Sequence, residues 1–269
     1  MKGNAKQTPV AASGAAIDSK MILVFYLGAL VAGELMTAFQ DYTAGLALHT
    51  LILFLLLFHA SLVSRRDQSL SRLLAALALA PLLRILSLSL PLWHFTTLEW
   101  MSIISIPLVI ACIATISTLG LRAGDVGLTL GPAKKVPLQI LIASIGVPLG
   151  TIEFIILRPS PWLSDYGIQS LAVALFALVG ATGLSEELIF RGILQRCADD
   201  LARFYGIIYV SMIFAILHIS FLSLADLLFV FAVAVLFAAI VKKTGTLLGV
   251  IAAHTLVNVM LYLVLPRYF

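Results

Sequence analysis

From Met21 to its C-terminus the chain is a succession of apolar runs, each close to twenty residues long and separated by short polar breaks. Nine can be counted, at approximately 21–39, 44–63, 73–92, 100–120, 137–157, 170–191, 206–222, 225–241 and 246–265. A helix needs about 20 residues to cross the hydrocarbon of a bilayer, so each run has the length of a membrane span. Barrel strands would be shorter and would alternate in polarity, which these runs do not. Only 11% of the residues are charged, whereas a water-soluble domain carries about 25%. The surface must face lipid, and the expected fold is all-α, a polytopic membrane helix bundle of about nine transmembrane helices. The third run holds Arg84 between Pro81 and Pro91, and it reads as kinked or as buried among the others.

The basic residues test this segmentation. Lys2, Lys6 and Lys20 precede the first run. Arg65, Arg66 and Arg72 follow the second, and Arg122, Lys134 and Lys135 follow the fourth. Arg191, Arg196 and Arg203 follow the sixth, and Lys242 and Lys243 follow the eighth. Fourteen of the seventeen basic residues thus fall in alternate connections, while only Arg158 and Arg267 fall in the others. Cytoplasmic connections collect Lys and Arg, so the expected protein is integral and multi-pass, with a cytoplasmic N-terminus and a non-cytoplasmic C-terminus. Residues 1–20 read as a flexible cytoplasmic leader, because no small-x-small cleavage site follows the first run. Residues 21–165 read as N-terminal transmembrane helices. The longest cytoplasmic connection, about Leu121 to Val136, holds Gly124, Gly127, Gly131 and Pro132 and reads as a loop. The net charge of +4 is dispersed between apolar runs and signals no nucleic-acid partner. Cys112 and Cys197 fall on different runs and read as buried thiols, with neither a metal motif nor a disulfide.

Within this background a few polar residues stand out. An ionisable group in a bilayer is costly and marks a functional site by default. Glu186 and Glu187 are adjacent in the sixth run, His218 lies in the seventh, and His254 and Asn258 lie one turn apart in the ninth. Helical phase puts Glu187 and Arg191 on one face, suited to an internal ion pair, unless Arg191 snorkels to the headgroups. It turns Glu186 towards the face of Gly183 and Phe190, and Gly183 would admit another helix or a substrate backbone. The pair places Glu186 about one to two turns inside the cytoplasmic boundary, at roughly 5–11 Å of rise. If the three runs pack together, these side chains form one polar cavity suited to hydrolysis. A general base must sit beside the reacting bond, with donors aimed at the developing negative charge.

In order, Glu-Glu-Leu-Ile-Phe-Arg-Gly (Glu186 to Gly192), Phe-x-x-x-His (Phe214 to His218) and His-x-x-x-Asn (His254 to Asn258) resemble the CAAX protease and bacteriocin-processing family. That family includes the Ras-converting CAAX endopeptidases and many bacterial Abi proteins. The resemblance marks 166–269 as a catalytic transmembrane core and implies an intramembrane endopeptidase. Glu186 would act with His218 to activate a water reached through a cytoplasm-facing cavity. His254 and Asn258 would stabilise the oxyanion, with Glu187 and Arg191 as structural support. The expected cofactor is none, although Glu186, His218 and His254 could also compose a His₂Glu zinc set. The implied substrate is a membrane protein or peptide in the lipid bilayer: a lipidated tail, a leader peptide or a C-terminal sorting signal. Two other readings stand beside this one. One is a non-catalytic interaction or immunity protein on the same scaffold. The other is a transporter, for which Glu34, Arg84 and Glu153 would matter as much as the motif residues.

Overall fold

The computed structural model of the protein describes residues 11–39, 42–90, 94–202 and 204–269. Lys2, Lys6, Pro91, Arg203 and the first half of the expected leader lie outside the described residues. Every regular element among the described residues is helical. Each expected run coincides with one helix: α1 (Ala11–Phe39), α2 (Tyr42–Val63), α3 (Gln68–Ser89), α4 (Thr97–Thr118), α5 (Ala133–Leu157), α6 (Ile168–Leu201), α7 (Tyr205–Phe221), α8 (Leu224–Thr244) and α9 (Leu248–Tyr268). Eight of them are long and apolar enough to cross a membrane, and α7 is a shorter apolar helix. It stops early because its end tightens into a 3₁₀ turn, Ile219–Phe221, after which Leu222 takes a left-handed φ of 53°. Large apolar side chains such as Phe54, Phe58, Ile106 and Ile110 are more than half exposed, as a lipid-facing surface requires.

The third helix is both broken and buried. It consists of Gln68–Leu77 and Leu79–Ser89, with Asp67 accepting a hydrogen bond from Leu70 N at its start. Arg84 Nε donates to Glu34 Oε1 at 2.6 Å, and His49 Nε2 lies 3.2 Å from the same oxygen. Glu34 and His49 are fully buried. This cluster joins α1, α2 and α3.

The sixth helix runs ten residues beyond its expected end. Arg191 looks like a boundary residue in the sequence, yet it is only 3% exposed. It belongs to the span, not to the following connection, which leaves thirteen basic residues in the alternate connections. Glu186 therefore stands ten residues before the exposed Arg196. That is roughly 15 Å of rise, nearly three turns rather than one or two. Two π-helical stretches, Leu178–Leu184 and Leu188–Leu194, flank Ser185–Glu187. Such widened turns recur at functional sites because they re-aim side chains without ending the helix.

At the end of the bundle that carries the basic connections, the loop between α4 and α5 folds inward. Leu247 N donates to Gly127 O at 2.9 Å and Thr246 Oγ1 donates to Thr129 O at 2.8 Å. Val126 and Leu247 are buried, at 1% and 0% exposure. Gly192 on α6 admits this plug, since a Cβ there would lie 3.0 Å from Val126 O.

Candidate functional site

Within a bilayer there is no hydrophobic drive between helices, so close packing depends on small residues that let backbones approach. Glycines press α9 from two sides. A Cβ on Gly183 of α6 would overlap Thr255 Oγ1 and lie 3.0 Å from Ile251 O. A Cβ on Gly150 of α5 would lie 2.5 Å from Val257 O, and one on Gly146 would lie 2.8 Å from Leu256 Cβ. The helix that Gly183 admits is thus the one bearing His254 and Asn258.

The resulting geometry brings the predicted residues together. Glu186, Glu187, Arg191, His218, His254 and Asn258 all line one cavity of about 490 Å³. Arg191 Nη1 donates to Glu187 Oε1 at 3.0 Å, four residues apart, as helical phase requires. The guanidinium also lies 4.2 Å from the centre of the Phe214 ring, a cation–π contact. His254 Nδ1 meets Glu187 Oε1 at 2.7 Å, and its Nε2 lies 3.9 Å from Glu186 Oε2. Glu187 is fully buried, whereas the Glu186 side chain is 20% exposed. Glu187 therefore does more than clamp Arg191: it also fixes the His254 ring. His218 Nδ1 donates to Phe214 O at 3.0 Å on its own helix, and a carbonyl can only accept. In the neutral ring, the remaining nitrogen, Nε2, then carries the lone pair. Asn258 is buried one turn beyond His254.

The cavity does not face the basic end of the bundle, where water was expected to enter. Its lining includes Thr97 and Trp100 at the start of α4, Pro159 and Trp162 after α5, and Ser220 and Phe221 at the end of α7. Thr97, Ser220 and Phe221 are exposed, which puts the mouth among the connections that are poor in Lys and Arg. The physical reason lies in the inward-folded loop, because its Val126, with Leu247 from the connection between α8 and α9, closes the opposite side.

Glu153 is a wall residue whose place in the site the motifs do not reveal. It is 8% exposed and lines the same cavity. A usable signal was present: Glu153 follows Gly150 by three residues and so shares its face, the one turned to α9. Among the described residues no group of three or more His, Cys, Asp or Glu side chains is arranged to hold a metal ion.

Residues 168–260 match the family model described as type II CAAX prenyl endopeptidase Rce1-like. No curated protein and no solved structure matches the chain. The matched segment is similar to an Rce1-like domain, consistent with the CAAX protease and bacteriocin-processing family. Together with the polytopic bundle it supports, in general terms, a membrane endopeptidase acting on a membrane-associated protein.

Proposed function

We propose that the chain is an intramembrane endopeptidase of the glutamic type, in which Glu186 and His218 activate the attacking water while His254 and Asn258 hold the oxyanion. One observation carries this reading. Four polar side chains from three helices, distant in sequence, meet on a single cavity inside an apolar bundle.

The steps follow from the donors and acceptors available. The Glu186 carboxylate takes one proton from water as the water oxygen bonds to the scissile carbonyl carbon. His218 Nε2 accepts a hydrogen bond from the second water hydrogen and so fixes the direction of attack. The carbonyl oxygen becomes an oxyanion and receives the Asn258 side-chain N–H. With Nδ1 donating to Glu187, the His254 ring must be doubly protonated for Nε2 to donate as well. The Glu187 carboxylate supplies the opposite charge, and Arg191 keeps that carboxylate in place. The carbon–nitrogen bond then breaks, and the proton held by Glu186 passes to the leaving amine. No step passes through a metal.

The proposed topology places the N-terminus in the cytoplasm and the C-terminus outside, on the alternation of basic connections. The decisive experiment uses purified protein in nanodiscs with peptides that carry one apolar segment. Wild-type protein should cleave them and Glu186→Gln should not, with equal rates in the presence and absence of a chelator. Cleavage that survives Glu186→Gln would defeat the assignment, and cleavage lost to the chelator would move the reading to a zinc site.

A further inference from the structure

We infer that the cavity takes its substrate from the non-cytoplasmic side, so that the substrate is a membrane-anchored segment already translocated, with apolar residues flanking its scissile bond. The inference rests on the proteolytic reading of the site and narrows its substrate class. It excludes the cytoplasmic lipidated tail, one of the substrates that the family resemblance implies.

Three observations meet here. The first is where the cavity runs. Its walls come from the middle of α6 and α9, from Leu83 to Ser87 on α3, from Thr97 to Leu108 on α4 and from Phe229 to Phe237 on α8. None of its lining residues belongs to the connections 119–132, 202–204 or 245–247. The second is the seal at the basic end. Ile193, Leu194, Val126 and Leu247 are at most 1% exposed, and they lie between Arg191 and that end. A peptide arriving from there would have to displace a loop held by the Leu247–Gly127 and Thr246–Thr129 hydrogen bonds. The third is charge. Among the described residues in the connections or at the helix ends, Lys20, Arg65, Arg66, Arg72, Arg122, Lys134, Lys135, Arg196, Lys242 and Lys243 lie at the sealed end, whereas Arg158 and Arg267 lie at the open one. A bias of that size places the sealed end in the cytoplasm.

The mouth has the chemistry of an interface that admits an anchored chain. Trp162 stacks on Tyr262 with ring centres 3.7 Å apart, and Trp100 lines the same cavity. Amphipathic rings of this kind settle at headgroup level. Deeper in, Met101, Ile104, Leu108, Val233 and Phe229 offer apolar walls to side chains on either side of the bond.

Single cysteines read out this arrangement in full-length protein expressed in a bacterial host, since the native Cys112 and Cys197 are buried. Thr97→Cys and Ser220→Cys mark the mouth, and Gly124→Cys marks the sealed end at a position with open space around it. A membrane-impermeant maleimide should label the first two on intact cells with a permeable outer layer, and the third only after lysis. The two mouth positions serve as independent checks should one variant misfold. Labelling of Gly124→Cys from outside, or of both mouth positions only after lysis, would overturn the inference. Cleavage of a co-expressed single-span reporter should drop to the Glu186→Gln background once Ser220→Cys is labelled from outside; cleavage that continues undiminished would also overturn it. A reporter cut equally by wild type and Glu186→Gln would instead defeat the proteolytic reading, whatever the labelling pattern.

Discussion

His254 Nδ1 lies 2.7 Å from Glu187 Oε1, and the same oxygen accepts Arg191 Nη1 at 3.0 Å. One buried carboxylate oxygen therefore holds a histidine on α9 and an arginine on α6 at once. This arrangement separates the roles of the two adjacent glutamates. Glu187 is spent on positioning, and Glu186, one residue earlier, turns its partly exposed carboxylate into the cavity.

Removing the arginine should test the positioning network. Arg191→Ala leaves the Glu187 carboxylate buried with His254 as its remaining partner and also removes the cation from the Phe214 ring. Breaking a buried pair typically costs about 3–5 kcal/mol, because one charge stays behind uncompensated. Thermal unfolding in detergent should show a clear fall in Tm. Arg191→Lys should recover only part of it, since an ammonium neither forks nor stacks in the same way. An unchanged Tm for Arg191→Ala would mean that the network is ornamental to the fold.

Glu186→Gln should behave differently. The side chain keeps its volume and its place beside the cavity, and it is not part of the Glu187–Arg191–His254 contacts at hydrogen-bond distance. The expected outcome is a wild-type Tm with no turnover of an anchored peptide, and binding of that peptide retained in a pull-down. A variant that unfolds early would instead make Glu186 a structural acid.

What could be read from the sequence divides along physical lines. The apolar helices, eight long enough to span and one shorter, were legible because length and apolarity are local properties, and Glu187–Arg191 was legible because helical phase is local too. The end of α6 was not, since Arg191 looks like an interfacial charge until its partner inside the bundle is known. The Glu187–His254 contact was also hidden, being a relationship between α6 and α9 that no spacing along one helix reveals. Glu34, Arg84 and Glu153 looked alike as isolated charges in apolar runs. Only packing separates them: Glu34 is buried in a 2.6 Å pair with Arg84, whereas Arg84 itself and Glu153 line the cavity. The direction in which the cavity opens depends on how one loop folds, and glycine-rich composition shows that a loop exists, not that Val126 plugs the bundle.

The Gly183 contact makes the α6–α9 spacing testable. Gly183→Ala would drive a methyl group into Thr255 Oγ1 and against Ile251 O. The helices must part, which would carry His254 away from Glu186. Turnover should fall steeply while the helical content in circular dichroism stays unchanged. Thr255→Ala alone should be mild, and combining it with Gly183→Ala should restore part of the lost turnover, a coupling expected only for residues in contact. Simple additivity of the two changes would show that the activity loss does not come from this contact.

Asn258 offers the sharpest separation between binding and chemistry. It is buried one turn beyond His254 on the helix that Gly146, Gly150 and Gly183 hold in place, so its side chain has little freedom to relax. On the proposed mechanism its N–H meets the carbonyl oxygen most strongly once negative charge has developed there. An interaction made mainly in the transition state lowers kcat when it is removed and leaves KM nearly unchanged. Asn258→Ala should therefore reduce kcat by roughly 100-fold or more, the usual cost of one oxyanion donor. Asn258→Asp should be at least as damaging, because it sets an acceptor where a donor is needed. Steady-state kinetics on an anchored fluorogenic peptide would read both. A rise in KM at constant kcat would place Asn258 among the groups that hold the substrate and would leave the oxyanion to His254.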